Sequence, residues 1–294
     1  MPFKNILVPL SGAANNSDAQ SLESAFHLAT RFSAHVNALH IKIDPRTAAA
    51  FVGEGMTSTM IESVIEMAEK DGEERRQRAH ALFNEMSSRM SIPAINDIAD
   101  RPVSGGATAR FVEKQGNRED TLHSYGRLFD LIVICKQNDE EEINNDLIIN
   151  TALRETGRPV LLMDKAIAAD CGKRVVLAWN GSVESSRALT YSLPFLKAAE
   201  KVMLVSAIDD LHEDIHPEAV LRYLTMHGIT ADRCEITGSN GKSTAESLLA
   251  QAKKCDADLL VMGAYTRSRL RRLFFGAVTE EILAHCPIPV LLAH

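Results

Sequence analysis

The chain states one pattern twice, which restricts it to folds built from two like units. Lys4-Asn5-Ile6-Leu7-Val8-Pro9-Leu10-Ser11-Gly12 is answered by Lys173-Arg174-Val175-Val176-Leu177-Ala178-Trp179-Asn180-Gly181. Asp130-Leu131-Ile132-Val133-Ile134 is answered by Asp258-Leu259-Leu260-Val261-Met262, and Arg158-Pro159-Val160-Leu161-Leu162 by Ile288-Pro289-Val290-Leu291-Leu292. Runs returning in the same order mark a duplicated folding unit. After the second run the copies diverge. The later one continues Gly263-Ala264-Tyr265-Thr266 and reaches Gly276; the earlier one continues Cys135-Lys136-Gln137-Asn138 into the acidic run Asp139 to Glu142. Ligand chemistry therefore belongs mainly to the second copy.

Within each copy, short β-branched runs alternate with longer stretches of helical period, the pattern of a parallel sheet covered by helices. Strands are expected near 4–10, 35–42, 109–115, 130–135 and 159–163, then 173–179, 201–208, 232–238, 258–262 and 289–293. Helices fit 18–33, 58–90, 118–127 and 143–156, then 183–198, 215–227, 243–255 and 277–285. Gly72 stands where the long second helix would bend or break. The fold class is α/β: two tandem, doubly wound, five-stranded parallel-sheet domains of Rossmann-like type. The domains are expected over 1–164 and 172–294, joined by an alanine-rich linker.

Composition narrows the partners. With 294 residues, 45% apolar and 24% charged, the chain has room for two ordinary cores. A formal charge of −7 argues against nucleic acid or an anionic membrane surface as a partner. The five cysteines are scattered, without metal-type spacing, as suits a reducing compartment. Met1-Pro2-Phe3-Lys4 leads directly into a strand, and no apolar run approaches membrane-spanning length. A cytoplasmic location is expected.

In an open parallel sheet, ligands sit outside the carboxyl ends of the strands, where strand order reverses. In the second copy those ends carry Asn180-Gly181-Ser182, Ser206-Ala207, Gly238 to Gly241 and Gly263 to Thr266. A glycine there lets backbone N–H groups approach an anion, and Arg267, Arg269, Arg271 and Arg272 add positive charge nearby. A tight turn followed by a solvated basic loop would use the same residues.

The stretch from Asp258 through Gly263-Ala264-Tyr265-Thr266 to Gly276-Ala277-Val278-Thr279 resembles the C-terminal signature of universal stress proteins. Cys286-Pro287-Ile288-Pro289-Val290-Leu291-Leu292 resembles its close. The resemblance extends over about residues 3–164 and 172–294, which implies a tandem member with an adenine-nucleotide alpha-hydrolase-like fold. Nucleotide-binding members carry G-x2-G-x9-G-[ST] at this place. Gly263 and Gly276 match the first and third glycines, Thr266 replaces the second, and Ala277 replaces the hydroxyl residue. The family's ribose-side aspartate becomes Asn180, followed by Gly181, and Ser11 in the first copy. The resemblance thus implies weak adenine-nucleotide binding, ATP or AMP. Gly263, Thr266, Gly276 and Ala277 would meet the phosphates, Asn180 the sugar, and the backbone around Ala207 the base.

Other motifs have plainer readings. Gly238 to Thr244 ends in Gly241-Lys242-Ser243, yet a P-loop wants a glycine where Ile236 stands. A helix cap by Ser243 or Thr244, with Glu246 in the first turn, explains it better. His212 and His216 beside Asp209, Asp210, Glu213 and Asp214 read as a polar loop, and no metal is expected. Met56, Met60, Met67, Met86 and Met90, in or beside one helix, read as core or interface filling.

The resulting expectation is a regulatory or stress-survival protein, not an enzyme. Two alternatives stay open: an interaction module without a nucleotide, and a slow ATPase or phosphotransferase using Asp209. The copies should pack as an intramolecular pseudo-dimer, because Val160-Leu161-Leu162 and Val290-Leu291-Leu292 are apolar edge strands that could cover one another. A homodimer and an unidentified protein partner are also compatible with the sequence.

Overall fold

The computed structural model describes residues 3–44, 57–100, 105–136, 144–207, 216–236, 243–264 and 277–294. Alternation of strand and helix runs through both repeats. The first contains β1 (Asn5–Leu10), α1 (Ser17–Phe32), β2 (His35–Lys42), α2 (Ser58–Arg89), β3 (Thr108–Gln115), α3 (Arg118–Gly126), β4 (Leu131–Cys135), α4 (Asn144–Glu155) and β5 (Val160–Met163). The second contains β6 (Arg174–Trp179), α5 (Val183–Ala198), β7 (Lys201–Ala207), α6 (Pro217–Met226), β8 (Asp232–Ile236), α7 (Thr244–Lys254), β9 (Leu259–Gly263), α8 (Ala277–His285) and β10 (Val290–Ala293). The expected elements are all present, with ends displaced by one or two residues. Continuous apolar runs such as Ile6-Leu7-Val8 are fully buried, as strands covered by helices on both faces must be.

The chain divides into two compact units, residues 4–156 and residues 157–294 with Phe3. In the first, the strand order is β3-β2-β1-β4, all parallel. In the second it is β5-β10-β9-β6-β7-β8. There β5 runs antiparallel to β10, pairing Val290 with Leu162, Leu291 with Leu161 and Leu292 with Val160, and the other pairings are parallel. The fifth strand of the first repeat is thus grouped with the second unit. Those apolar edges cover one another, as the sequence predicts.

Each repeat is fastened at the same point by the aspartate preceding its fourth strand. The Asp130 carboxylate accepts from the backbone N–H of Lys4 at 2.7 Å and Asn5 at 2.9 Å. The Asp258 carboxylate accepts from Gly172 and Lys173 at 3.1 Å and Arg174 at 2.9 Å. These charge-assisted bonds tie the start of the first strand to the fourth. The duplicated aspartate is therefore a structural clasp.

Helix α2 runs unbroken for 32 residues, so Gly72 does not break it. Its buried residues, Ala79, Phe83, Met86 and Ser87, all lie in the second half. Met86 fills the core as expected, whereas Met60 and Met67 are exposed because the first half buries nothing. A methyl group at Gly72 would meet no atom within 4 Å. Gly72→Ala should therefore stabilise the protein by about 0.5–1 kcal/mol through helix propensity. Urea unfolding should show a higher midpoint at unchanged slope, and a lower midpoint would contradict an unstrained helix at this position.

Candidate functional site

Strand order in the second repeat reverses between β6 and β9, which puts the crevice at their carboxyl ends. Asn180 and Gly181 leave β6 there, Gly263 closes β9, and Ala207 ends β7 opposite Ile236. Gly181 has φ +80°, a left-handed turn that favours glycine, and Gly12 at φ +67° repeats it in the first copy. The Asn180 side-chain oxygen accepts from the Ser182 N–H at 3.2 Å, and Ser182 in turn caps α5 by accepting from the Ser185 N–H at 3.1 Å. Asn180 thereby has one acceptor site of its amide engaged in the turn before α5. Ala277 is the exposed first residue of α8. Thr266 and Gly276 lie outside the described residues, as do Gly238 to Lys242.

Gly263 has a structural duty that its motif conceals. A methyl group there would stand 2.6 Å from the Ser185 backbone nitrogen and 2.7 Å from the Glu184 carbonyl carbon. The first turn of α5 rests directly on the bare glycine, so helix packing at the switch point requires it. In the first repeat Cys135 occupies the matching strand end, and its N–H donates to Ser21 Oγ at 2.8 Å.

The strand end in the first repeat is closed by its own side chains. Buried Asp18 accepts from the Ser11 N–H at 3.1 Å, the Ser11 hydroxyl at 3.2 Å and the Gly12 N–H at 2.8 Å. Arg78 Nε donates to the Gly12 carbonyl at 2.8 Å, and a methyl on Gly12 would lie 2.2 Å from the Arg75 carbonyl oxygen. Helix α2 thus presses on the loop after β1. Alongside, at the end of β2, remains a cavity of about 240 Å³ lined by His40, Lys42, Asp71, Gly72 and Arg118 among others. Burial pushes the His40 imidazole below its usual range, partly offset by the bond to the Leu10 carbonyl at 3.2 Å. The acidic run Asp139 to Glu142 lies outside the described residues.

Two polar groups at the second crevice give no sequence signal beyond their residue type. Trp179 Nε1 and Ser206 Oγ are buried without a hydrogen-bond partner among the described residues. An unmet buried donor costs about 1–3 kcal/mol.

The P-loop-like segment resolves as a helix start. Ser243 Oγ accepts from the Glu246 N–H at 3.0 Å while the Glu246 carboxylate accepts from the Ser243 N–H at 2.8 Å, a reciprocal cap. The hydroxyl also donates to Glu281 at 2.7 Å, which leaves it engaged on both sides. His216 precedes α6, whereas His212, Asp209, Asp210, Glu213 and Asp214 lie outside the described residues. Among the described residues no group of three or more His, Cys, Asp or Glu could hold a metal ion. Among the same residues no helix is long and apolar enough to cross a membrane.

Comparison with known proteins agrees with this geometry. The model of the universal stress protein family matches residues 229–294. A universal stress protein of Synechocystis sp. is 20% identical over 98% of this chain and 99% of its own length. One from Thermus aquaticus is 29% identical over 41% of this chain and 97% of its own length. A crystal structure of a universal stress protein from Archaeoglobus fulgidus superposes with a TM-score of 0.65 at 15% identity, covering 98% of this chain and 97% of that one. The chain is thus similar to universal stress proteins along its whole length, and its last 66 residues match the family model. Its tandem Rossmann-like fold is that of the Archaeoglobus fulgidus protein.

Proposed function

We propose that the protein is a cytoplasmic regulator of stress survival whose second repeat binds an adenine nucleotide, ATP or AMP, weakly and without turnover. The reading rests on one observation: Asn180, Gly181 and Gly263 are gathered at the switch point of the second repeat, with Ala207 one strand away. Asn180 would face the sugar and the backbone at Ala207 the base. Gly263, Thr266, Gly276 and Ala277 would border the phosphates. The repeats span 1–164 and 172–294 and form an intramolecular pseudo-dimer. The first serves as scaffold or as the surface for a protein partner or a second copy. Clasped by Asp18 and lacking a glycine at Cys135, it does not take a nucleotide.

Calorimetric titration with ATP, ADP and AMP, with and without magnesium, tests the reading, and a phosphate-release assay tests turnover. A hydrogen bond to a charged phosphate oxygen contributes about 1.5–3 kcal/mol, so the missing hydroxyl at Ala277 alone lowers affinity about tenfold or more. Thr266→Gly combined with Ala277→Ser should restore at least that factor for ATP. An unchanged affinity would place the phosphates elsewhere. The substitutions at Thr266 and Ala277 favour a second reading, a module that acts through protein contacts alone, and saturation by none of the nucleotides would establish it.

A further inference from the structure

Half of α2 is helical with nothing to lie on. Ile61, Ile65, Ala68 and Gly72 stand four, three and four residues apart, and Ala79, Phe83 and Met86 continue the same stripe. From Ala79 onward the stripe is buried, where α2 packs on α1, β2 and β3. No residue from Ser58 to Asp71 is buried; Ile61 is 36% exposed, and the neighbouring Met60 and Met67 more so. Most helical stability in proteins comes from packing an apolar face, and this half of the helix has the face without the packing. Ala68 and Gly72 lead it into the cavity at the end of β2, which Ile43 also lines.

One flank of the bare stripe carries charge of a single sign. Glu62, Glu66 and Glu69 are exposed, and among the described residues none has an ion-pair partner. Further along, Asp71 is paired with Arg75 at 2.8 Å, and Glu73 with Arg76. Lys70, the only basic residue from Ser58 to Gly72, falls on the opposite side of the helix. Like charges four residues apart, as in Glu62 and Glu66, oppose the free helix, and a cationic neighbour relieves them.

We infer that this half of α2 is the docking surface for a cationic amphipathic helix of a partner protein. Its apolar face covers Ile61, Val64, Ile65 and Ala68, and its lysines or arginines meet Glu62, Glu66 and Glu69. The inference rests on the reading of the first repeat as a partner surface and is independent of the nucleotide. A second copy fits less well: antiparallel pairing of two α2 helices sets the acidic row against itself, on molecules that each carry −7. An anionic membrane meets the same repulsion.

The probe is a labelled synthetic helix of about 18 residues, with leucines at i, i+3, i+4 and i+7 and lysines elsewhere, titrated against the full-length protein by fluorescence anisotropy. A twin peptide carries glutamate for lysine and should bind at least about tenfold more weakly. Glu62→Lys with Glu66→Lys and Glu69→Lys should reverse that preference. Glu85→Lys with Glu155→Lys and Asp232→Lys changes the net charge equally at exposed positions elsewhere, and should alter affinity less than about twofold at physiological salt. Ile61→Ala with Ile65→Ala should weaken the lysine peptide about tenfold, and alanine, the better helix former, keeps α2 intact. Amide hydrogen exchange over 58–71 should slow on binding. Equal losses in the two charge-reversed proteins overturn the inference, because charge alone would then bind the peptide. A dimer of the free protein in sedimentation, dissolved by Ile61→Ala with Ile65→Ala, also overturns it and assigns the face to a second copy. Slowed exchange elsewhere in the first unit, and not at 58–71, overturns this face but keeps the partner-surface reading. No binding of the lysine peptide overturns the inference and withdraws its support from that reading.

Discussion

Replacing Gly263 with alanine is expected to destabilise the protein by about 2–3 kcal/mol, as added bulk in a packed interior does. The new methyl group would enter the space of the Ser185 nitrogen at 2.6 Å and the Glu184 backbone at 2.7 Å. Both contacts are backbone, so no rotamer change relieves them. The first turn of α5 must lift, and the bond from Ser185 N–H to Ser182 Oγ lifts with it. Differential scanning calorimetry should show the second unit melting about 4–12 °C lower, given the usual relation between stability and midpoint. Loss of nucleotide affinity in this variant would follow from the displaced helix. Unchanged stability with lost affinity would instead assign the glycine to the ligand.

Asp18→Ala should destabilise the first unit by about 3–5 kcal/mol, because each unmet buried donor costs about 1–3 kcal/mol. Its carboxylate holds the Ser11 and Gly12 N–H groups and the Ser11 hydroxyl, and Asp18 is only 5% exposed. Asp18→Asn keeps one carbonyl acceptor and should lose roughly half as much, since charge-assisted bonds are about twice as strong as neutral ones. Chemical denaturation of the three proteins side by side makes the comparison. Equal stability of wild type and Asp18→Ala would show that the loop after β1 is held by Arg78 and α2 rather than by this carboxylate.

What the sequence revealed, and what it hid, divides by distance along the chain. Strands such as Ile6-Leu7-Val8 and helices such as Thr244–Lys254 follow from neighbouring residues, and periodicity or a Ser243–Glu246 cap marks them locally. The switch-point residues Asn180, Gly181 and Gly263 were legible for the same reason: each ends a recognisable strand. The duty of Asp130 and Asp258 was not, because their backbone partners lie 84 to 126 residues away. Gly263 showed a glycine motif but not the helix turn resting on it. The exposure of Met60 and Met67 depends on how far α2 outruns the sheet, which no residue of the helix encodes. Trp179 and Ser206 become notable only when strand register sets them side by side with no hydrogen-bond partner among the described residues.

The antiparallel seam between β5 and β10 has a consequence for how the chain is made. All four residues of β5 are buried in the finished molecule, yet their partner strand is translated a whole repeat later. During synthesis, Val160, Leu161, Leu162 and Met163 leave the ribosome with the β10 side unpaired, and long-range pairings of this kind form slowly. Such an edge is open to other nascent chains until Val290 to Ala293 arrive. A chain arrested or clipped before Val290 would keep an apolar strand on offer, with association between such fragments as the outcome.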